Sequence, residues 1–399
     1  MLTHSGDSTM NINQWVAELN ELLGTSSSST KESKFFISAM ELRQSEVSIM
    51  NLNIEPIEKG LDYNHLRFAE LNGNATDFRV EGAQLGIDLK FLSGVERSSG
   101  LEIREIKSLI TYDPKFLEFD RLNLRTDRSQ IKNYLKLDII GEAGYSKFLE
   151  QVSITARMEE TKIHVQDLSL LIPSIPAIED EIYLSGEVIG SVSDMKSDEF
   201  LIRVGEKTAL FGSFYLDGLP NLEKTYLNLS LKNSVISARD LAPYLPDELQ
   251  ATLNKFNLIR LNADFAGLPN RFTTNGSFNT DIGNLEGRVN YDQAKGVPTL
   301  VSNVKVQNLD LGILADDREL LQKISLEGRV NLSGSTIEDM LLDLDAIISQ
   351  LGIKGYTYSQ IQTDATYGLD LFRGNLNIND PNLKAQIRGY MNLKESVDS

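Results

Sequence analysis

The chain has no cysteine, one tryptophan and three histidines. Without cysteine it can form neither a disulfide framework nor a thiolate metal site. His4, His65 and His164 stand far apart in the sequence, with no partner at ligand or triad spacing, so each is expected to be structural or on the surface. His164 falls between Ile163 and Val165 in an alternating run, which aims its ring at solvent. Positive charge is also short. Lys and Arg number 39 against 57 Asp and Glu, a net charge of −18. Phosphate backbones and anionic lipid surfaces both require clustered basic residues, so neither is an expected partner. The negative balance reads more simply as solubility and self-avoidance. No stretch of about eighteen consecutive apolar residues is present, so the sequence as given does not read as membrane-spanning.

The motifs of common chemistries are missing as well. No G-x-G-x-x-G lies between a strand and a helix, and there is no Walker sequence and no G-x-S-x-G. Adjacent acids occur at Glu159-Glu160, Glu179-Asp180-Glu181 and Asp316-Asp317. They are expected in turns or first helical turns, where carboxylates are locally favoured. Asp343 and Asp345 alternate with apolar residues and read as a solvated strand face. A general acid and base need a pocket that moves one pKa, and nothing in the sequence marks one. No EF-hand or glycine-rich calcium repeat occurs. The chain is therefore expected to have no catalytic residues, no metal site and no cofactor.

What the sequence does contain is alternation. Residues 11–23, "NINQWVAELNELL", carry Trp15, Leu19 and Leu22 at helical spacing, and the serine-rich stretch 25–30 reads as a flexible linker. From Phe35 onward short runs such as "YLNLSLK" and "GNLNI" alternate with period two and are punctuated by Gly, Asn, Asp and Pro. Their short loops favour antiparallel meanders. Residues 238–256 read as a helical interruption, with Leu249, Leu253 and Phe256 on one face. Residues 314–324, "LADDRELLQKI", read as a second, shorter helix.

The alternation has a recurring flaw. Leu117 and Phe119 are followed by Leu122 and Leu124, a three-residue step that turns the apolar set to the other face of a regular strand. The same skip occurs in Phe35, Ile37, Met40, Leu42 and in Val47, Ile49, Leu52, Ile54. It recurs in Ile163, Val165, Leu168, Leu170 and in Val304, Val306, Leu309, Leu311. A bulge at Asp120-Arg121 would restore a common face and bend the sheet. "IYLSGEVIGSV", "IRLNADFAGLP" and "ISLEGRVNLSG" begin at Ile182, Ile259 and Ile324, intervals of roughly 65 to 77 residues that suggest degenerate multi-strand repeats. The expected organisation is a helix and linker over 1–30, then β segments over 31–180, 181–258, 259–323 and 324–399. The expected fold is mainly β, an elongated, curled antiparallel sheet forming a groove, with a few short helices.

Several of these pieces resemble one family. "VQNLDLGIL", "ISLEGRVNLSG", "IKGYTYSQIQTDATY" and "LNINDPNLKAQIRGYMNL" are similar to segments of the TamB-type translocation and assembly module proteins of the AsmA-like superfamily, in particular its Bacteroidota branch. "NINQWVAELN" with its linker, "ITYDPKFLEFDRLNLRTDRSQI" and "SARDLAPYLPDEL" extend the resemblance over nearly the whole chain. It implies a periplasmic location in a parent protein held at the inner membrane by an N-terminal helix. It further implies a β-groove with an apolar interior that carries phospholipid acyl chains towards the outer membrane. The alternative is a chaperone-like scaffold for outer-membrane protein assembly, with an outer-membrane barrel partner met through regions outside this chain. The start "MLTHSGDSTMNINQ" lacks the features of a signal peptide and the last residues still read as strand, so an internal fragment of such a protein is expected. The candidate groove lining is Leu117, Phe119, Leu122, Leu124, Val304, Val306, Leu309 and Leu311. Which arm of each skip faces the groove stays open at this stage.

Overall fold

The computed structural model describes residues 2–4, 34–51, 55–57, 60–62, 64–142, 144–171, 177–245, 247–293, 296–335 and 339–392. The expected helix at 11–23 and the serine-rich linker lie outside these residues. The chain divides into two compact units, Met1–Gly205 and Glu206–Ser399, and each is a curled antiparallel sheet with few helical residues.

The first unit contains β1 (Leu2–His4), β2 (Lys34–Asn51), β3 (His65–Glu81), β4 (Gln84–Glu96), β5 (Glu102–Asp113), β6 (Phe116–Thr126), β7 (Gln130–Ile139), β8 (Val152–His164), β9 (Glu181–Gly190) and β10 (Asp194–Val204). From β2 to β10 each strand pairs antiparallel with the next, while β1 lies parallel to the end of β2. A helix α1 (Val165–Leu171) follows β8.

The second unit contains β11 (Thr208–Asp217), β12 (Tyr226–Ser237), β13 (Leu258–Leu268), β14 (Arg271–Thr280), β15 (Gly283–Asp292), β16 (Thr299–Asp310), β17 (Leu321–Ser333), β18 (Leu341–Ile353), β19 (Tyr356–Tyr358), β20 (Ile361–Gly368), β21 (Leu371–Asn379) and β22 (Lys384–Asn392). It too is a meander, except that β18 pairs along one edge with both β19 and β20. Helices α2 (Ala238–Leu241) and α3 (Asp247–Phe256) follow β12, and α4 (Leu311–Leu314) follows β16. Among the described residues the first and last strands of each unit do not pair with each other, so neither sheet closes into a barrel.

The helical interruptions begin at Val165, Ala238 and Leu311, equally spaced along the chain. Each is entered through a residue whose side chain accepts a backbone N–H near the helix start, the role expected of an N-cap. Ser237 accepts from Asp240, Asp310 accepts from Ile313 at 3.0 Å, and His164 Nδ1 accepts from Gln166 at 3.3 Å. The strand after each helix starts at Glu181, Leu258 or Leu321.

Four sequence expectations are corrected here. His164 does not face solvent. The strand ends at that residue and the helix begins at the next, so strand parity no longer applies and the ring is buried. The skip Ile163, Val165, Leu168, Leu170 is accordingly a strand-to-helix transition. The helix expected over 314–324 is instead α4, ending at Leu314, followed by turns and then β17 from Leu321. Glu159-Glu160 lies within β8 rather than in a turn.

The skips within strands resolve into bulges. Phe119 pairs with Leu135 and Leu122 with Asn133, so three steps on β6 oppose two on β7, and Arg121 at the extra position takes a left-handed φ of 53°. Val306 pairs with Leu326 and Leu309 with Ile324, with Asn308 at φ 51°. The Phe35–Leu42 skip is shared by two strands. β2 and β3 keep register through it, and the extra residue shows one strand further on, between Thr76 and Arg79 of β3 against β4, around Asp77 at φ 56°. In the skip beginning at Val47, residues 52–54 lie outside the described residues.

A bulge strands one backbone N–H, and a side chain on the facing strand repeatedly accepts it. The N–H of Asn308 donates to Ser325 Oγ at 2.9 Å, and that of Asn233 to Asn262 Oδ1 at 2.7 Å. Gln44 donates to Asn72 Oδ1 at 3.1 Å, and Glu160 to Ser185 Oγ at 3.3 Å. All four donors have positive φ. At Arg121 a side chain on the other edge satisfies a carbonyl instead, where Ser108 Oγ donates to the Asp120 carbonyl at 2.9 Å.

Candidate functional site: an apolar sheet face

Within each unit, register and bulges together place the expected lining residues that lie on strands on one face. In the first unit Leu85, Tyr112, Leu117, Leu137 and Ile154 pair in turn across five strands, and Ile87, Ile110, Phe119, Leu135 and Ala156 form the adjacent row. Beyond the bulge, Leu122 pairs with Asn133 and Leu124 with Ile131. Since 131, 133, 135 and 137 share one parity on β7, Leu117, Phe119, Leu122 and Leu124 all project from the same side. Leu122 is buried and the other three are half-buried.

In the second unit one row runs Leu261, Phe278, Leu285, Val306, Leu326, Ile348, Ile361 and Ile378, from β13 to β21. Val304 stands in the next row, and Leu309 rejoins the same face through the Asn308 bulge. Leu311 is not on a strand, in contrast to its place in the expected lining. It is the first residue of α4, and from there it packs against the same apolar cluster.

The row containing Val304 is one of small side chains. It reads Ala263, Gly276, Gly287, Val304, Gly328, Ala346 and Thr363 across consecutive strands. A Cβ on Gly276 would lie 2.2 Å from the Asn262 carbonyl oxygen, and one on Gly328, at φ 151°, 2.3 Å from that of Asp345. Glycine at these points lets neighbouring backbones approach and the sheet bend towards its apolar side. Two rows away, Phe272 stacks on Phe265 with ring centroids 4.7 Å apart and lies 5.3 Å from Tyr291.

The centre of this face is dry. Val304, Val306, Ile324, Leu326, Leu344, Ala346, Ile348 and Ile361 form one buried cluster, all on β16, β17, β18 and β20. A flat single-layer sheet leaves its face open to water. Burial of neighbours on consecutive strands therefore follows from the curl, which brings their side chains together. Each Val, Leu or Ile side chain of the cluster contributes roughly 1.5–3 kcal/mol when fully buried.

Hydroxyls on this face are turned into the backbone. Ser302 Oγ donates to the Val330 carbonyl at 2.6 Å, and Thr363 bonds Tyr367 at 2.5 Å and the Asn375 carbonyl at 3.3 Å. No buried side-chain polar atom among the described residues lacks a partner. The opposite face of the same strands carries Arg329 and Asp345 paired at 2.5 Å and Asp343 exposed, as the alternation predicted, together with exposed Val301 and Ile347.

Titratable groups lie at the strand ends, where they hold turns. Glu96 is fully buried. Its carboxylate accepts the Arg67 N–H at 3.0 Å, and the Ser99 N–H and hydroxyl at 2.7 Å each. Burial alone pushes this carboxyl up, but the hydrogen bonds outweigh it and hold it below the usual range. Asp240 behaves likewise, with burial opposed by the N–H groups of Lys207 and Thr208. The Tyr356 hydroxyl, 2.7 Å from Asp380, leads the hydrogen bonds that lower Asp380 to about 2. His65 is held between Asp62, at 2.9 Å, and the Asn51 carbonyl, at 3.0 Å. A cleft beside α3 and α4 is lined by Asn254, Lys255, Asp316 and Arg318. There Lys255 Nζ is engaged by the Leu314 carbonyl at 2.8 Å and by Asp316 at 2.7 Å. Among the described residues no group of three or more His, Asp or Glu could hold a metal ion.

Sequence reasoning missed the densest part of the face. Ile324, Leu326, Leu344, Ala346, Ile348 and Ile361 carry no skip that would single them out, although "ISLEGRV" and "LLDLDAII" do alternate. Comparison with protein-family models, with curated proteins and with solved structures finds no match for this chain.

Proposed function

We propose that this chain is a segment of a TamB-type, AsmA-like envelope protein of the periplasm. Its apolar sheet face shelters phospholipid acyl chains on their way between the inner and outer membranes. The observation that supports this most is the continuity of the apolar rows from strand to strand within each unit, with the hydroxyls of Ser302 and Thr363 committed to the protein itself. Such a surface offers little to a polar substrate. For an acyl chain it offers about 0.8 kcal/mol per methylene withdrawn from water. No catalytic group is needed, and the lipid head group stays in solvent beyond the rim.

Substituting Asp at Val306 or Leu122 is a poor test, because both are buried and a carboxylate there would cost several kcal/mol of folding stability. Leu285 and Glu286 are better placed, being a half-buried residue of the apolar row and its exposed neighbour on the opposite face. A photo-crosslinking amino acid at 285 should recover phospholipid adducts from cells, and one at 286 should not. Equal recovery at both positions, or none at 285, ends the lipid reading. Adducts to an outer-membrane protein in place of lipid would establish the scaffold alternative.

A further inference from the structure

The apolar face of the second unit is not uniformly open. Phe278 and Leu285, on β14 and β15, are half-buried, and on β22 Ile387 and Met391 are 44% and 48% exposed. Between them the same face shuts. Val306 is 6% exposed, Leu326 8%, Ile348 5% and Ile361 3%. These residues pair directly with one another across β16, β17, β18 and β20, and the side chains packed against them come from the same curled face and from Leu311 of α4.

We infer that β16–β20 is a width filter in which Leu326 and Ile348 decide the cross-section of apolar chain that the face admits. This rests on the lipid reading above and adds to it where selection takes place. A chain entering the flanking strands meets side chains already half in solvent and displaces mainly water. A chain entering β16–β20 must push apart side chains that touch each other, and packed interiors give way poorly. The cost rises with the width of the entering group, because each added ring atom requires a further displaced contact. Leu, Ile and Val can rotate aside for a single unbranched acyl chain. A rigid fused ring system is wider and requires several of these side chains to move at once.

Two diazirine probes distinguish the cases, a photoreactive palmitoyl phospholipid and a photoreactive sterol, each supplied to the full chain in phosphatidylethanolamine and phosphatidylglycerol vesicles. Adducts are then mapped by peptide mass spectrometry. The palmitoyl probe should label β14–β15 and β16–β20, and the sterol probe β14–β15 alone. Leu326→Ala with Ile348→Ala should raise sterol adducts in β16–β20 by about tenfold or more, the scale on which an apolar pocket discriminates small size differences. Glu286→Ala, exposed on the opposite face, should leave that share unchanged. Circular dichroism checks folding, and Ile348→Val serves as a milder variant should the double substitution unfold. Sterol adducts in wild-type β16–β20 as frequent as palmitoyl adducts overturn the filter. So does the absence of both probes from β16–β20 when β14–β15 is labelled. If neither probe labels the protein anywhere, the lipid reading itself falls and the filter with it.

Discussion

The bulge at Arg121 makes a prediction whose sign opposes ordinary strand rules. Its backbone sits at φ 53°, and its side chain is 69% exposed, with only a loose 3.6 Å contact to Asp120. The side chain therefore contributes little, since exposed ion pairs of this kind are worth about 0–1 kcal/mol. Left-handed backbone costs an L-residue roughly 1–2 kcal/mol, which glycine escapes. Glycine's extra unfolded-state entropy returns about 0.5–1 kcal/mol of that gain. Arg121→Gly should thus be neutral or more stable by up to about 1 kcal/mol. Arg121→Val should be less stable by about 1–2 kcal/mol, because a β-branched residue is a poor occupant of positive φ. At a regular strand position the order reverses, with valine favoured and glycine disfavoured. Urea denaturation of the full chain, followed by circular dichroism and by protection of β6 amides from hydrogen exchange, measures the order. A valine variant with the higher midpoint would mean that β6 runs straight through 120–121 and that the skip is not a bulge.

Other consequences can be checked in the same assay. Ser325→Ala removes the acceptor for the Asn308 N–H and should cost about 0.5–1.5 kcal/mol. Ser185→Ala, whose bond to Glu160 is longer, should cost less. Gly276→Ala places a Cβ against the Asn262 carbonyl and should destabilise by about 1–3 kcal/mol. In a pH series, the depressed carboxyls of Glu96, Asp240 and Asp380 contribute stability that is fully present above their ordinary values. It is lost as pH falls through their lowered folded values, which for Asp380 means the range down to about 2. Glu96→Gln should lower stability at neutral pH, because its amide NH2 meets donors, and should flatten the acid limb. An unchanged limb would show that Glu96 is not held in its ionised form by the turn.

Much of the architecture was legible in the alternation, and the failures have physical causes. Period two located the strands, and the three-residue steps located the bulges at Asp120-Arg121 and before Leu309, because an extra residue must appear wherever the apolar set would otherwise change face. "LADDRELLQKI" misled because its acids resemble a helix start, while the true cap, Asp310, precedes it and is followed by only four helical residues. From Leu321 the strand has begun, and Ile324 and Leu326 already follow its period. His164 misled for the complementary reason, since parity predicts direction only while the strand lasts. The sequence carried no sign of which stretch of the apolar face would close on itself. Val306, Leu285 and Phe278 are equally apolar, and only the curl separates the buried residue from the half-buried ones.

The two units reach that curl by different mixtures of bulges and glycines. In the first, every antiparallel pairing from β2 to β10 contains a register shift, so bending is spread over bulges at residues such as Gln44, Glu70, Asp77, Arg121 and Glu160. In the second, β13 to β16 and β18 to β22 pair without any shift and the small-residue row takes over, while β11 to β13 and β16 to β18 keep bulges. A bulge bends a strand but interrupts its ladder, and it strands an N–H that a neighbour must accept. A glycine keeps the ladder intact and bends by letting backbones approach, at the expense of a side chain on the apolar face. Wherever glycines share in the bending, flanking leucines and isoleucines must supply the missing apolar volume, as Leu326 and Ile348 do beside Gly328 and Ala346 on strands that also carry bulges. The tightest burial consequently falls beside the glycine row, and the residues that close the face there are the ones whose truncation should open it.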